Sequence, residues 1–181
     1  MSICIKDALF FKDCEKKIEL ICRKALKEKY QKYEGRDLTL DDFIGDCNGR
    51  LLDELERINE GGFYYEIYIY KTIWDFAVAK KCPIDICGDI ETSYVAYLLG
   101  MIEEDPFQWL MPKRMPFRFL PEGRPYMYIV APDDFKKNLV EHFKGIFGRD
   151  KVTVIEDYII LGNRDDIEDN KTLDTIWIHI F

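Results

Sequence analysis

Apolar residues recur at helical spacing near the start of the chain. Within 12–33, apolar residues fall three or four positions apart, with lysine and glutamate between them. They are Ile18, Ile21, Cys22, Ala25, Leu26 and Tyr30. This spacing predicts an amphipathic helix with one buried stripe. A second helix is predicted over 48–60, where a pair of glycines ends it. Its inward-facing residues are Leu51, Leu52, Leu55 and Ile58.

The stretch 63–81 is apolar and aromatic and fits two kinds of secondary structure. Its first half alternates as a strand does, but its apolar residues also recur at helical spacing. Because strands are usually about 3–10 residues long, the length of this stretch favours a helix. Residues 82–89 include Pro83 and Gly88 and are predicted to form a loop, and a short helix is predicted over 91–100.

The second half of the chain reads as strands with one long helix among them. Residues 101–125 hold five of the seven prolines and are predicted to be irregular. A strand is predicted over 126–131, and Pro132 with two following aspartates opens a helix that runs to Phe147. Further strands are predicted over 151–155, 158–161 and 175–181. We therefore predict an α+β fold, with a helical N-terminal half packed on a small antiparallel or mixed sheet.

Length and composition agree with one compact unit. The chain has 181 residues, of which 48% are hydrophobic, so it can bury a real core. An N-terminal helix and linker (1–47) are expected to precede an α+β domain (48–181). No apolar run approaches the ~20 residues of a membrane span, and the six cysteines form no CxxC pair. These features predict a cytoplasmic protein with reduced cysteines and no membrane partner.

The net charge bears on the choice of partner. It is −8 at pH 7, so the chain as a whole would repel nucleic-acid phosphates. The acidity is uneven, because residues 1–36 hold ten Lys/Arg and six Asp/Glu. A basic solvated helix beside an acidic body explains this distribution without any ligand. A simple DNA-coating role is therefore not expected.

Four stretches of the middle of the chain occur in an order that resembles a known polymerase domain. They are LLDELERINEGGFYYEIYIYKTIWDFAVAKKCPI, GDIETSYVAYLLGMIEEDPFQW, MPFRFLPEGRPYMYIVAP and FKKNLVEHFKGIFGRDKVTVI, which together cover about residues 50–155. The series resembles the palm region of bacterial family C replicative DNA polymerases, the PolC and DnaE types of DNA polymerase III alpha subunit. The resemblance implies a fold like the nucleotidyltransferase palm of polymerase beta.

In that family, a Gly/Ser-rich loop and the start of the next helix hold the incoming triphosphate. Aligned back from SYVAY, the corresponding loop here spans 85–93 and keeps Gly88, but Cys87 stands where the family carries an arginine. The loop also contains three acids, which are Asp85, Asp89 and Glu91. A like charge ~4 Å from a phosphate costs about 4 kcal/mol at a surface-like dielectric, so this loop is expected to reject a triphosphate unless a metal ion intervenes.

The family's catalytic strand carries alternating aspartates that hold two Mg²⁺ ions. The matching positions here, counted back from FGRDKV, are Tyr126, Tyr128 and Val130. Neutral phenols and an isopropyl group cannot anchor Mg²⁺, which prefers anionic oxygen. The resemblance thus predicts a palm-like domain without catalytic residues or cofactor, whose interaction or regulatory role involves a protein partner.

Two other functions stay open at the level of sequence. A nucleotidyltransferase or phosphoryl-transfer enzyme would need relocated Mg²⁺ ligands, for which Asp133 and Asp134 are candidates beside the three loop acids. Both also suit the first turn of a helix, which is the ordinary role of such residues. A non-catalytic nucleic-acid-binding module could use the cations among aromatics at Lys113, Arg114, Arg118 and Arg124.

Overall fold

The structure, a computed structural model, describes residues 8–31, 40–106, 126–161 and 176–181. These residues form a mixed α+β fold, as predicted, with five α-helices and a five-stranded sheet. The α-helices are α1 (Ala8–Gln31), α2 (Leu40–Gly61), α3 (Tyr64–Lys80), α4 (Tyr94–Leu98) and α5 (Asp133–Phe147). The strands are β1 (Asp85–Gly88), β2 (Met127–Val130), β3 (Val152–Ile155), β4 (Tyr158–Leu161) and β5 (Ile176–Ile180). No helix among the described residues is long and apolar enough to cross a membrane.

The helices largely confirm the periodicity of the sequence. Helix α3 resolves the ambiguous stretch 63–81 as a helix, and Lys81 ends it in the left-handed conformation. Helix α1 buries Ile18, Cys22 and Leu26 of its predicted stripe, whereas Ala25 is partly buried and Ile21 is 38% exposed. The side chain of Tyr30, the last residue of that stripe, lies outside those that the structure describes. Helix α2 begins earlier than predicted, at Leu40 instead of residue 48. The prediction that Leu52 faces inward is wrong, because its side chain is 53% exposed. The buried Cys47 extends its inward face by one turn, and this packing outweighs the low helix propensity of the glycines within the helix.

The sheet has the strand order β1-β2-β5-β4-β3. The β2–β5 pair is parallel and the other three pairs are antiparallel, so the sheet is mixed. The prediction of a loop over 82–89 is wrong, because 85–88 form strand β1 at the sheet edge. Four residues that include aspartate and glycine have little strand propensity of their own. Their pairing with β2 supplies the backbone hydrogen bonds that local sequence could not predict.

One face of the sheet packs against the helices. Alternate strand residues such as Ile86, Ile129 and Ile178 belong to the same buried cluster as Ile18 of α1 and Ile73 of α3. Because side chains alternate between the two faces of a strand, the intervening residues point to the opposite face of the sheet. The sheet therefore has a core face covered by helices and an outer face.

Two polar contacts fix helices to their surroundings. The Tyr70 hydroxyl of α3 donates a buried hydrogen bond of 2.8 Å to the Met127 carbonyl of β2. At the other end of the helical layer, Lys29 of α1 forms an ion pair with the buried Asp105. The Lys29 ammonium also lies 3.9 Å from the centre of the Tyr97 ring. These contacts connect α1 to the segment around α4, and α3 to the sheet.

Substituting Tyr70→Phe tests the contact between α3 and β2. We expect it to lower the free energy of unfolding by about 1 kcal/mol, because a buried hydrogen bond is lost while the ring still fills its site. Urea denaturation followed by circular dichroism measures the change. The control is Tyr68→Phe, a partly exposed tyrosine of the same helix, which should shift the stability by less than about 0.5 kcal/mol. Equal losses in the two variants would contradict the assignment.

Candidate functional site

The two segments that resemble the polymerase active site are neighbours in the sheet. Strand β1 of the loop segment 85–93 pairs with β2, and Cys87 lies opposite Tyr128. The segment continues from β1 into a 3₁₀ turn (Asp89–Thr92) and then into α4. The structure therefore brings together the loop residues and the strand residues that the sequence singled out, at one edge of the sheet.

The acids of the loop accept hydrogen bonds from the backbone around them. The Asp89 carboxylate accepts a hydrogen bond of 2.8 Å from the Tyr126 N–H at the start of β2. The Glu91 carboxylate accepts one of 2.9 Å from the Gly88 N–H. Asp85 is exposed and lies opposite Val130 at the end of the β1–β2 ladder. Two of the three acids thus hold the loop in shape, which is a structural role.

Gly88 allows the loop to pass close to β2. Its φ angle is +102°, in the region that side chains disfavour. A Cβ atom at this position would lie 2.3 Å from the Tyr126 carbonyl oxygen. That carbonyl accepts a hydrogen bond of 2.9 Å from the Asp89 N–H, so the close approach also satisfies the backbone. The glycine that the resemblance picked out is therefore required by the turn itself.

The start of α4 is occupied by a buried carboxyl group from α2. The side chain of Glu54 is fully buried. One of its oxygens accepts a hydrogen bond from the Tyr94 N–H (2.9 Å), and the other accepts from the Val95 N–H (2.8 Å) and the Ser93 hydroxyl (3.1 Å). These backbone donors lie where the resemblance places the phosphates of a nucleotide. An internal carboxyl group therefore takes the position expected for the ligand.

Arg50 completes the surroundings of Glu54. Its guanidinium donates to the carboxyl group at 3.2 Å and to the Thr92 carbonyl at 2.8 Å. Burial raises the pKa of the Glu54 carboxyl above its ordinary value, while the backbone N–H donors and Arg50 oppose this rise. Because each of these groups donates a hydrogen bond to one of the two oxygens of Glu54, the site accommodates the ionised form of its carboxyl group.

The sequence patterns did not predict Glu54 as a site residue, although a signal was present. Leu51, Leu55 and Ile58 form the buried stripe of α2, and Glu54 falls within that stripe. A charged residue on the apolar side of an amphipathic helix is costly unless it is paired and hydrogen-bonded. Such a residue therefore indicates a buried polar partner elsewhere in the chain.

The three positions that match the family's aspartates lie on the outer face of the sheet. Tyr126 and Val130 are exposed and Tyr128 is half-buried, whereas Met127 and Ile129 between them are buried in the core. The Tyr128 pKa is raised, first by the neighbouring Cys87 and then by burial. Burial also raises the pKa of the Cys87 thiol above its ordinary value. None of the three positions offers a carboxylate, so this strand does not fit a pair of Mg²⁺ ions.

The register of the strands extends these positions into a continuous aromatic surface. One row across the sheet runs through Cys87, Tyr128, His179, Tyr158 and Ile155. We define the aromatic face as the rings of Tyr126, Tyr128, Phe181, His179, Tyr158 and Trp177. In that order each ring neighbours the next, with centroid distances between 3.9 and 5.8 Å. Aromatic rings in contact usually have centroids about 4.5–7 Å apart, and the two contacts of His179 are closer than this.

The structure places the two acids that follow β2 at the start of a helix. Asp133 and Asp134 are exposed in the first turn of α5, where acids favour the helix N-terminus. Among the residues that the structure describes, no group of three or more His, Cys, Asp or Glu side chains could hold a metal ion. The predicted nucleic-acid contacts Lys113, Arg114, Arg118 and Arg124 lie outside the described residues.

Comparison of the sequence with profiles of known protein families and with curated proteins found no match. The likeness to the family C palm therefore rests on the four stretches of sequence given above, and it stays a prediction.

The variant Glu54→Gln tests the buried carboxyl group. We expect it to lower the free energy of unfolding by about 3 kcal/mol, because the amide nitrogen would face N–H donors and Arg50 would lose its buried partner. Urea denaturation measures the loss. Glu56→Gln, an exposed position on the same helix, is the matched control and should change stability by less than about 0.5 kcal/mol. Similar stability of the two variants would show that the Glu54 network is not structural.

The variant Gly88→Ala tests the close approach of the loop to β2. We expect a loss of about 2 kcal/mol or more, because the new methyl group meets a backbone oxygen and the residue keeps a positive φ. Gly145→Ala is the control, since a Cβ added there in α5 meets no atom within 4 Å apart from its chain neighbours and the backbone of its own helix. Alanine at that helical position should raise stability by up to about 1 kcal/mol. Thermal denaturation compares the two, and a stabilised Gly88→Ala variant would contradict the observed turn.

Proposed function

We propose that this chain is a non-catalytic binding protein built on a palm-like α+β scaffold. The observation that carries the proposal is the Glu54 carboxyl group at the start of α4. It accepts hydrogen bonds from the Tyr94 and Val95 N–H groups, which are the donors that a triphosphate would require. A nucleotide could bind there only by displacing a buried, paired carboxyl group, which is costly. The positions expected to carry catalytic aspartates add support, because they carry Tyr126, Tyr128 and Val130 instead.

The aromatic face supports the binding part of the proposal. Tyrosine, tryptophan and phenylalanine are enriched where proteins contact partners, because they bury much area at low entropic cost. Several of these rings are exposed to solvent in the described structure. Such a surface is best suited to binding a protein partner that regulates this chain or is regulated by it.

The enzymatic alternative receives less support from the geometry. Of its candidate Mg²⁺ ligands, Asp89 and Glu91 already accept backbone hydrogen bonds, and Asp133 and Asp134 lie in the first turn of α5. Two-metal chemistry requires carboxylates that converge on ions about 3.5–4 Å apart. A nucleotidyltransferase would have to rearrange the loop to bring its acids together.

Primer extension with the purified full-length chain tests the proposal. We expect no incorporation of nucleotides in Mg²⁺ or Mn²⁺, because the phosphate donors are occupied and the strand lacks carboxylates. An active DNA polymerase assayed in parallel shows that the primer, the nucleotides and the metal are competent. Calorimetric titration with a deoxynucleoside triphosphate and Mg²⁺ is the second measurement, and we expect no heat of binding. Extension that the chain carries out in either metal would overturn the proposal.

A further inference from the structure

The aromatic face is an exposed surface with a coherent chemistry. The exposed fractions are 57% for Tyr126, 57% for Phe181 and 41% for Trp177. Ile160, which faces the same way opposite Trp177, is fully buried, so this position of β4 is not part of the open area. Contiguous apolar area of this kind usually marks a site of interaction.

The charge of the sheet is of one sign only. The five strands, the turn that follows β1 and the turn that follows β3 contain no Lys or Arg. These elements lie within 85–92, 126–131, 152–161 and 176–181. Their acids are Asp85, Asp89, Glu91, Glu156 and Asp157. Lys136 of α5 contacts Asp157 at 3.5 Å and donates to the Glu156 carbonyl at 2.5 Å. Asp85 is exposed. Because side chains alternate between the two faces along β1, it points to the outer face of the sheet, beside Val130.

We propose that the aromatic face binds an arginine- or lysine-rich peptide segment of a partner protein. This inference rests on the proposed function and names the chemistry of its partner. The negative faces of aromatic rings attract guanidinium and ammonium groups, and arginine stacks on them most readily. The acids at the margin of the face, Asp85 above all, add attraction, and the described strands contain no Lys or Arg to oppose it.

The same charges argue against two other possible partners of the aromatic face, which are single-stranded nucleic acid and a second copy of the chain. Single-stranded nucleic acid also stacks on aromatic rings, but it needs a positively charged groove to follow its backbone. The strands and turns here supply acids instead, which would repel each phosphate. A second copy of the chain would bring an identical acidic sheet face in a two-fold dimer, so like charges would meet.

Binding of a fluorescently labelled oligoarginine peptide to the full-length chain tests the inference. Fluorescence anisotropy at low salt should show saturable binding, while a glycine–serine peptide of equal length and an oligothymidine should not bind. Tyr126→Leu and Phe181→Leu each keep an apolar side chain but remove the ring. Each should weaken peptide binding by about two- to fivefold, the range of an exposed cation–π contact.

Matched controls separate this site from attraction to an acidic protein in general. Asp85→Asn and Glu60→Gln each remove one negative charge, but Glu60 is exposed on α2 in the helical layer. Asp85→Asn should weaken binding about twofold, and Glu60→Gln should not change it. Ile146→Ala, which removes an exposed apolar side chain of α5, should also leave the affinity unchanged.

Several outcomes would overturn the inference. These are no peptide binding, equal losses in the face variants and the helix variants, tighter binding of oligothymidine than of oligoarginine, and dimerisation that the peptide does not disturb. Circular dichroism of each variant verifies that it is folded. Failure of the proposed function is distinguishable, because primer extension by the chain would contradict that proposal without removing a peptide site on the sheet.

Discussion

The buried carboxyl group of Glu54 is the interaction on which the arrangement of this protein depends. It joins α2 to the start of α4, and Arg50 extends the connection to the Thr92 carbonyl. A charge in the protein interior is tolerated only when its oxygens are saturated by donors, so the position of α4 is closely specified. Strand β1 and the turn after it directly precede α4, and they are therefore held at the sheet edge next to β2.

Gly88 and the loop acids complete the same local structure. Gly88 lets the chain pass close to the Tyr126 carbonyl. The Asp89 carboxylate accepts a hydrogen bond from the Tyr126 N–H, and the Glu91 carboxylate accepts one from the Gly88 N–H. In a polymerase palm, this part of the chain would present its donors to a nucleotide. Here the protein supplies acceptors for its own donors. These contacts satisfy the backbone donors of the segment within the protein itself.

The two faces of the sheet have separate roles. The core face packs aliphatic residues such as Ile129 and Ile178 under the helices, and it supplies the stability. The outer face presents rings and acidic groups, with the rings of Tyr126 and Phe181 most exposed. Because side chains alternate along each strand, changes on the outer face leave the core intact.

Hydrophobic periodicity is local, so the sequence alone predicts the helices, four of the strands and the fold class. It also placed Tyr126, Tyr128 and Val130 on one side of a strand. It could not determine β1, since the hydrogen bonds of that strand come from a segment about 40 residues away. Only the tertiary structure joined Glu54 to α4. It alone set Tyr128 beside His179 through the parallel β2–β5 pairing. Both contacts depend on long-range packing, in which residues far apart in the chain satisfy one another's polar groups or share one surface.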